Sequence, residues 1–367
     1  MELLAPLLIT YTAVRIIANR GRWADVAYII VLTYLSTVYT YAVIPLAVPY
    51  LLAIYAIRRG KLANYAGFGS ALSFTGVIIM TAYANSPHLL ALGFVMATLA
   101  PAVLLPALGD RGSLEGLFRY LLISSISSSL LISGLSLRSA WPEIAELLIM
   151  LAIMTELGVA PIYIWVVDVY GRSSATGLAL LASLPKLAAA YALIAIRPAV
   201  PAPIPVVLGA LSMLIGNLGA LTSRELNKIL AYSSVLHGGF AVFIYPVNPP
   251  LSLAIMLADA LGKMSLFYYA DGGSAKWASL VIVMNQIGIP PALGFWPKLL
   301  IIIAAVEAWG WAAGAYLLAN IVMSVPYYIR VFQTIPEGVA KFAFLSAVIV
   351  LALGFVPDFW IRYILSL

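Results

Sequence analysis

The sequence predicts an all-α polytopic membrane protein with about twelve or thirteen transmembrane helices, and three observations carry that prediction. Of the 367 residues, 63% are hydrophobic and only 9% are charged, against about 25% charged in a soluble domain. The apolar residues form continuous runs close to twenty long, the length of a bilayer-crossing helix. A membrane barrel would instead alternate apolar and polar residues over about ten positions. Arginine and lysine gather in the short gaps between runs, which is the pattern that sets topology.

The formal net charge is +6. In a soluble chain this would hint at nucleic acid, but no basic stretch carries interleaved aromatics on which bases could stack. The expected surroundings are therefore a lipid bilayer, with no nucleic-acid partner. The absence of cysteine excludes disulfides and thiolate-held zinc or iron–sulfur clusters. Two histidines, His88 and His237, are too few for several His-ligated haems. The chain starts Met1-Glu2 with no basic segment before the first apolar run, so that run is expected to be a retained span and not a cleaved leader.

In chain order, the first span is expected at 3–17, ending at Arg15, Arg20 and Arg22. The apolar stretch 24–57 is too long for one span. Pro45 and Pro49 divide it into 24–41 and 43–57, closed by the basic loop Arg58-Arg59-Gly60-Lys61. Two spans between two basic loops return the chain to one side. Spans follow at 62–83, 89–108 and 114–136. Ser113 is the expected N-cap of the last, with Glu115 in the first turn where the helix dipole favours an acid. That span carries Arg119 and the cluster Ser124, Ser125, Ser127, Ser128 and Ser129, read as small hydroxyl residues that let helices pack closely.

The runs 142–170 and 175–196 carry Glu156 and Lys186, each accompanied by proline, Pro161 and Pro185. A charge in mid-bilayer costs roughly 2.5–3.5 kcal/mol on insertion scales, so it has a partner, a wet cavity or a task. Proline breaks a helix, and broken backbone at membrane depth is tolerated only beside protein or a polar cavity. Two readings stay open from the residues alone: a buried ion or proton path, or a structural ion pair. Spans at 206–222, 229–245 and 251–270 follow, the last two carrying His237 and the i,i+4 pair Asp259 and Lys263, which can neutralise each other. The run 277–309 is interrupted at Gly288-Ile289-Pro290-Pro291 and at Pro297-Lys298. Spans at 311–332, ending Tyr327-Tyr328-Ile329-Arg330, and at 339–356 complete the chain, with an amphipathic tail to Leu367.

The interrupted runs 142–170 and 277–309 lie about five spans apart. Paired interruptions point to an ion site between the halves of a transporter. We therefore expect two discontinuous helices and an inverted repeat of five-helix units within one integral membrane domain: N-terminal helices 1–86, a core 87–332 and a C-terminal helix 333–367. The chain has no Gly-x-Ser-x-Gly elbow, His-Glu-x-x-His or phosphate loop, so no bond chemistry is expected of it alone.

The motifs also resemble a known family. Glu156 to Tyr170, ELGVAPIYIWVVDVY, is similar to a segment of the antiporter-like membrane subunits of respiratory complex I, Lys-x-x-x-x-Pro-x-His-x-Trp-x-x-Asp-x-Tyr. Pro161, Trp165, Asp168 and Tyr170 match, while Glu156 stands for the lysine and Tyr163 for the histidine. Ala182-Ser183-Leu184-Pro185-Lys186 resembles the next lysine-bearing helix. Gly216-Asn217-Leu218 and the stretch Lys228 to Ser234, followed by His237, resemble further family segments. Ala260 to Phe267 resembles the lysine motif before the second break, with Asp259 where a histidine is common. Gly288-Ile289-Pro290-Pro291 through Gly294-Phe295-Trp296-Pro297-Lys298, and Ser113-Leu114-Glu115 with Arg119-Tyr120, complete the likeness, which is greatest to the N-type subunit.

The resemblance implies a proton-translocating subunit in the cell membrane of a prokaryote, coupled to quinone reduction in partner subunits. It implies a relay of Glu156, Lys186, His237, Lys263 and Lys298, with Lys186 central and Lys298 on the exit side, modulated by Arg119, Asp259 and Tyr163. It further implies that the quinone, the iron–sulfur clusters and the flavin or other donor site belong to the partners, with no cofactor in this chain. A cation/proton antiporter or membrane-bound hydrogenase subunit is the alternative, and a non-pumping scaffold a third. The position of the acid on an earlier family helix falls near Val95 here, where no acid stands, and Glu156 replaces the family lysine. Either the acid has moved, so that Glu156 pairs with Arg119 or Lys186, or pumping has been lost.

Overall fold

The computed structural model describes residues 4–17, 21–56, 60–338 and 341–367. Glu2, Arg20, Arg58 and Arg59, used above to argue topology, lie outside the described residues. Nineteen α-helices account for nearly all of the remainder, and the only β pairing among the described residues is an isolated bridge between Ser274 and Glu337. Their starts and stops follow the runs closely. The N-terminal helices are α1 (Leu4–Ile17), α2 (Gly21–Ser36) and α3 (Val43–Ala56), the last containing Pro49.

Two successive five-part units then follow. The first comprises α4 (Gly60–Ala82), the segmented α5 (Pro87–Leu99) and α6 (Leu104–Leu108) joined by a 3-10 turn, α7 (Arg111–Leu137), the pair α8 (Pro142–Leu157) and α9 (Ile164–Arg172), and the pair α10 (Ala175–Leu181) and α11 (Leu184–Ile196). The second comprises α12 (Pro203–Thr222), α13 (Leu226–Ile244), α14 (Pro249–Gly272), the pair α15 (Lys276–Ile287) and α16 (Phe295–Trp309), and α17 (Trp311–Thr334). In both units the fourth span is the one broken by a proline-containing gap. Helices α18 (Lys341–Phe355) and α19 (Pro357–Leu365) follow, bent by 76° to each other.

Among the described residues, seven stretches are long and apolar enough to cross a membrane as continuous spans, or eight with the bent terminal pair. The difference from the twelve or thirteen apolar runs lies in the interrupted and short helices. The pairs α8–α9 and α15–α16 divide their runs, and α1, α2 and α3 have 14, 16 and 14 residues. Helix α13 is long enough but carries Asn227, Lys228 and His237. One expected cap also differs. The N-cap of α7 is Asp110, whose carboxylate accepts from the Ser113 N–H at 2.7 Å, so the helix starts one turn before the Ser113 cap that its sequence suggests.

Small residues set the closest helix crossings, as expected without a hydrophobic driving force between helices in lipid. A Cβ on Gly93 of α5 would lie 2.7 Å from the Gly76 carbonyl of α4, and one on Gly239 of α13 would lie 2.8 Å from the Gly209 carbonyl of α12. The first two spans of each unit therefore cross on facing glycines. Every residue in the apolar window of α14 is buried, whereas α7, α12 and α17 turn most of theirs outward. The polar interior is consequently built around α14 and the α10–α11 pair.

Candidate functional site

Both broken spans stop on a glycine that can adopt a left-handed backbone without a Cβ clash. Gly158 ends α8 at φ 71°, and Gly288 ends α15 at φ 91°. Each gap also contains a cis proline bond, Ala160–Pro161 and Pro290–Pro291. Backbone groups freed by the breaks find internal partners, the condition for irregular backbone at membrane depth. At the first break, Ala160 N–H donates to Ser212 Oγ at 2.9 Å, and Trp165 Nε1 donates to the Thr155 carbonyl at 2.9 Å. At the second, Asn285 donates to the Ala258 carbonyl at 2.9 Å and accepts from Gly294 N–H at 2.8 Å.

Glu156 sits in the last turn of α8, two residues before Gly158, and is completely buried. Tyr120 of α7 donates its hydroxyl to Glu156 Oε1 at 2.5 Å, while Oε2 has no hydrogen-bond partner. Ser124, one turn further along α7, lies beside this carboxylate without closing a hydrogen bond to it. Arg119 does not come to the site. Its guanidinium turns outward to Asp168 of α9 at 2.5 Å, within a partly exposed network that includes Arg172 and Glu115. The direct pairing of Glu156 with Arg119 is thus replaced by a bond to the adjacent tyrosine: consecutive positions on α7 face different ways, and only Tyr120 faces inward. Nor is there an ion pair between Glu156 and Lys186.

Lys186, in the first turn of α11 behind the Ala182-Ser183 interruption, is 1% exposed and its ammonium lacks a hydrogen-bond partner. It lies 6.0 Å from the Trp165 ring and 5.6 Å from the Tyr170 ring, within cation–π reach. A Cβ on Gly158 would be 3.5 Å from Lys186 Nζ, so the lysine faces the first break. The charges acting on it are Asp259, Lys263 and Glu156. The Tyr170 and Ser234 hydroxyls are buried without hydrogen-bond partners, and so is Asp259 Oδ2.

Asp259 is the centre of the second cluster. Its Oδ1 lies 3.3 Å from Lys263 Nζ and 3.3 Å from His237 Nδ1. The i,i+4 pairing expected on α14 is therefore present, with a histidine from α13 added. Lys263 also donates to Ser233 Oγ and, at 3.4 Å, to Tyr328 OH, and His237 Nδ1 is 2.8 Å from the Ser233 carbonyl. Gln286, in the amide orientation its neighbours require, donates to Asp259 Oδ1 at 3.3 Å.

Lys298, 2% exposed, reaches back across the second break and donates to the Gln286 and Ile287 carbonyls at 2.5 and 3.0 Å. A cation here suits the negative end of the α15 dipole. Tyr163 lies away from the line, on a cavity of about 470 Å³ shared with Asp168, Arg172, Lys228 and Tyr232 at the end of α9.

The sequence reading missed Tyr120, Tyr170, Ser234 and Gln286. A signal for the last was available: Glu156-Leu157-Gly158 and Gln286-Ile287-Gly288 share one spacing, so Gln286 occupies in the second break the position that Glu156 holds in the first. The Ser124 and Ser128 hydroxyls are buried without hydrogen-bond partners. Ser127 does bridge helices, donating to the Ala152 carbonyl of α8 at 2.8 Å.

Fold and interior together define a polytopic membrane protein with two broken spans flanking a buried line of acids and bases, the architecture of antiporter-like subunits. Residues 102–276 match the family model described as NADH:quinone oxidoreductase/Mrp antiporter, transmembrane. NADH-ubiquinone oxidoreductase chain 2 of Dugong dugon is 32% identical over 251 residues, covering 61% of this chain and 72% of that protein. Among solved structures, a chain of respiratory complex I from Thermus thermophilus superposes with a TM-score of 0.81 at 20% identity, covering 100% of this chain and 99% of that one. A chain of the membrane-bound sulfane sulfur reductase, an archaeal respiratory membrane complex, gives 0.80 at 18% identity, covering 99% and 96%. The chain belongs to the NADH:quinone oxidoreductase/Mrp antiporter transmembrane family.

Proposed function

We propose that this chain is a proton-translocating membrane-arm subunit of a complex I-like NADH-, ferredoxin- or F420-linked quinone oxidoreductase in a prokaryotic cell membrane. Protons pass along Glu156, Lys186, the Asp259–Lys263–His237 cluster and Lys298. The carrying observation is burial: six ionisable side chains, none more than 2% exposed, lie from one helix break to the other. Such groups in a membrane interior mark ion and proton pathways.

The free polar atoms support a path over a static set of ion pairs. Glu156 Oε2, Lys186 Nζ, the Tyr170 and Ser234 hydroxyls and Asp259 Oδ2 are all buried and unpartnered, and buried polar groups of this kind are satisfied by ordered water. Hydration there would join Lys186 to Asp259. Asp259 then acts as the anionic station between two lysines, and Lys298, held on the carbonyls of α15, takes the proton on. Arg119 and Tyr163 act from outside the line, on its polar approaches. Quinone, iron–sulfur clusters and the electron-donor site are assigned to partner subunits of the membrane arm and its redox domain.

The test uses the intact purified complex in proteoliposomes. Lys186→Ala and Lys298→Ala are each expected to leave assembly and electron transfer in place and to abolish proton uptake. Normal pumping by both variants would defeat the relay. A family that includes Mrp antiporters supports a second reading, a subunit of a cation/proton antiporter. Co-purification of this chain with antiporter subunits and no redox proteins would establish that reading instead.

A further inference from the structure

Outside the relay, a slot of about 620 Å³ lies between α2, α3 and α18. Its volume lies within the range of small-molecule sites, roughly 300–1,000 Å³. The walls are aliphatic: Val26 and Ile30 from α2, Val48 and Leu52 from α3, Ile349 and Leu353 from α18. One end is different. Arg22 and Trp23, in the first turn of α2, and Tyr55, in the last turn of α3, close it.

The Arg22 guanidinium donates to the Tyr55 carbonyl at 3.0 Å and stands over the Tyr55 ring, 4.8 Å from its centre. No carboxylate among the described residues pairs with it; the one acid nearby in sequence, Asp25, is taken by Arg15 and Tyr11. Trp23 is 75% exposed, in keeping with an aromatic at the membrane–water boundary. The result is a hydrocarbon-lined slot with a cationic mouth at headgroup level.

We propose that this slot is a binding site for an anionic phospholipid, with a phosphate on Arg22 and an acyl chain between α2, α3 and α18. Charge complementarity selects the headgroup: basic residues at the membrane surface attract anionic lipid, and the planar guanidinium suits phosphate geometry. The walls select a chain, since they offer no polar group for a more elaborate ligand. A partner helix, about 10–12 Å across with 5.4 Å per turn, would fill this volume with under two turns, too short to seat a span. Bound lipid would fasten the N-terminal helices to α18 and so to the second unit.

The test takes the full-length chain within its purified complex, stripped of lipid in detergent and returned to nanodiscs of dioleoyl-phosphatidylglycerol or dioleoyl-phosphatidylcholine. Lipid retained after re-extraction is counted by mass spectrometry, and thermal stability is followed in parallel. The wild type is expected to retain at least fivefold more phosphatidylglycerol than phosphatidylcholine and to melt higher in it. Arg22→Gln should remove the preference, and Ile349→Trp should lower retention of both lipids by filling the slot. Equal retention of the two lipids by wild type, or an undiminished preference in Arg22→Gln, overturns the proposal, as does a quinone recovered from the slot in place of phospholipid. If Ile349→Trp fails to assemble, Arg22→Gln decides the matter, since that partly exposed side chain can change without disturbing the core.

Discussion

Tyr120 holds one oxygen of Glu156 at 2.5 Å and leaves the other without a partner. The carboxylate is thereby oriented, not neutralised. One oxygen is fixed by α7 while the second remains available to a mobile donor. Removing the hydroxyl in Tyr120→Phe is expected to destabilise the chain by about 1–3 kcal/mol, the cost of an unsatisfied buried acceptor. Infrared difference spectra check the assignment: the carboxyl band abolished by Glu156→Gln should shift in Tyr120→Phe. An unmoved band would mean that the two side chains do not interact in the working protein.

The Asp259–Lys263 pair supplies a second expectation. Breaking a buried pair leaves an uncompensated charge, at a cost of about 3–5 kcal/mol. Asp259→Asn and Lys263→Met should each impair stability on that scale, and the double variant should be less damaged than the sum. A double-mutant cycle on thermal unfolding of the complex measures this directly. Strict additivity would show that the 3.3 Å contacts of Asp259 contribute nothing as a pair.

At the breaks, Gly158→Ala and Gly288→Ala add a Cβ to left-handed backbone, a strain of roughly 1–2 kcal/mol. The new methyl would also crowd Val166 at the first position and approach Lys298 Cδ within 2.7 Å at the second. Both variants should assemble with lowered melting temperature, and Gly288→Ala should slow proton transfer more than electron transfer by displacing the lysine. Full pumping in Gly288→Ala would argue that Lys298 need not keep its place over the α15 carbonyls.

Arg119 gives a contrasting case. Its pair with Asp168 has side-chain exposures of 48% and 28%, and surface pairs contribute about 0–1 kcal/mol. Arg119→Ala should therefore change stability little and leave the Glu156 carboxyl band where it is. A shifted band would show coupling between the exposed network and the buried acid.

Much of this architecture was legible in the sequence because the bilayer imposes helix-length runs. The ends of α4, α7, α14 and the α10–α11 pair can be read to within a few residues, and the interruptions at Pro161 and at Pro290-Pro291 mark both broken spans. Lys186, Lys263, Lys298, Glu156 and His237 stand out as ionisable groups among apolar residues. The directions of side chains were less accessible. Arg119 and Tyr120 are neighbours, and only helix rotation against α8 and α9 decides which one meets Glu156 and which meets Asp168. Neutral polar members such as Tyr170 and Ser234 do not stand out from a background rich in serine and tyrosine. The start of α7 was misplaced because Asp110 and Ser113 are both good caps, and sequence alone does not rank them.

The account stands on continuity between Lys186 and Asp259, so the decisive measurement is a cryo-electron microscopy map of the intact complex at a resolution that locates water. We expect ordered water joining Lys186 Nζ, the Tyr170 and Ser234 hydroxyls and Asp259 Oδ2. A dry apolar gap between Lys186 and Asp259, in a complex that pumps normally, would contradict it.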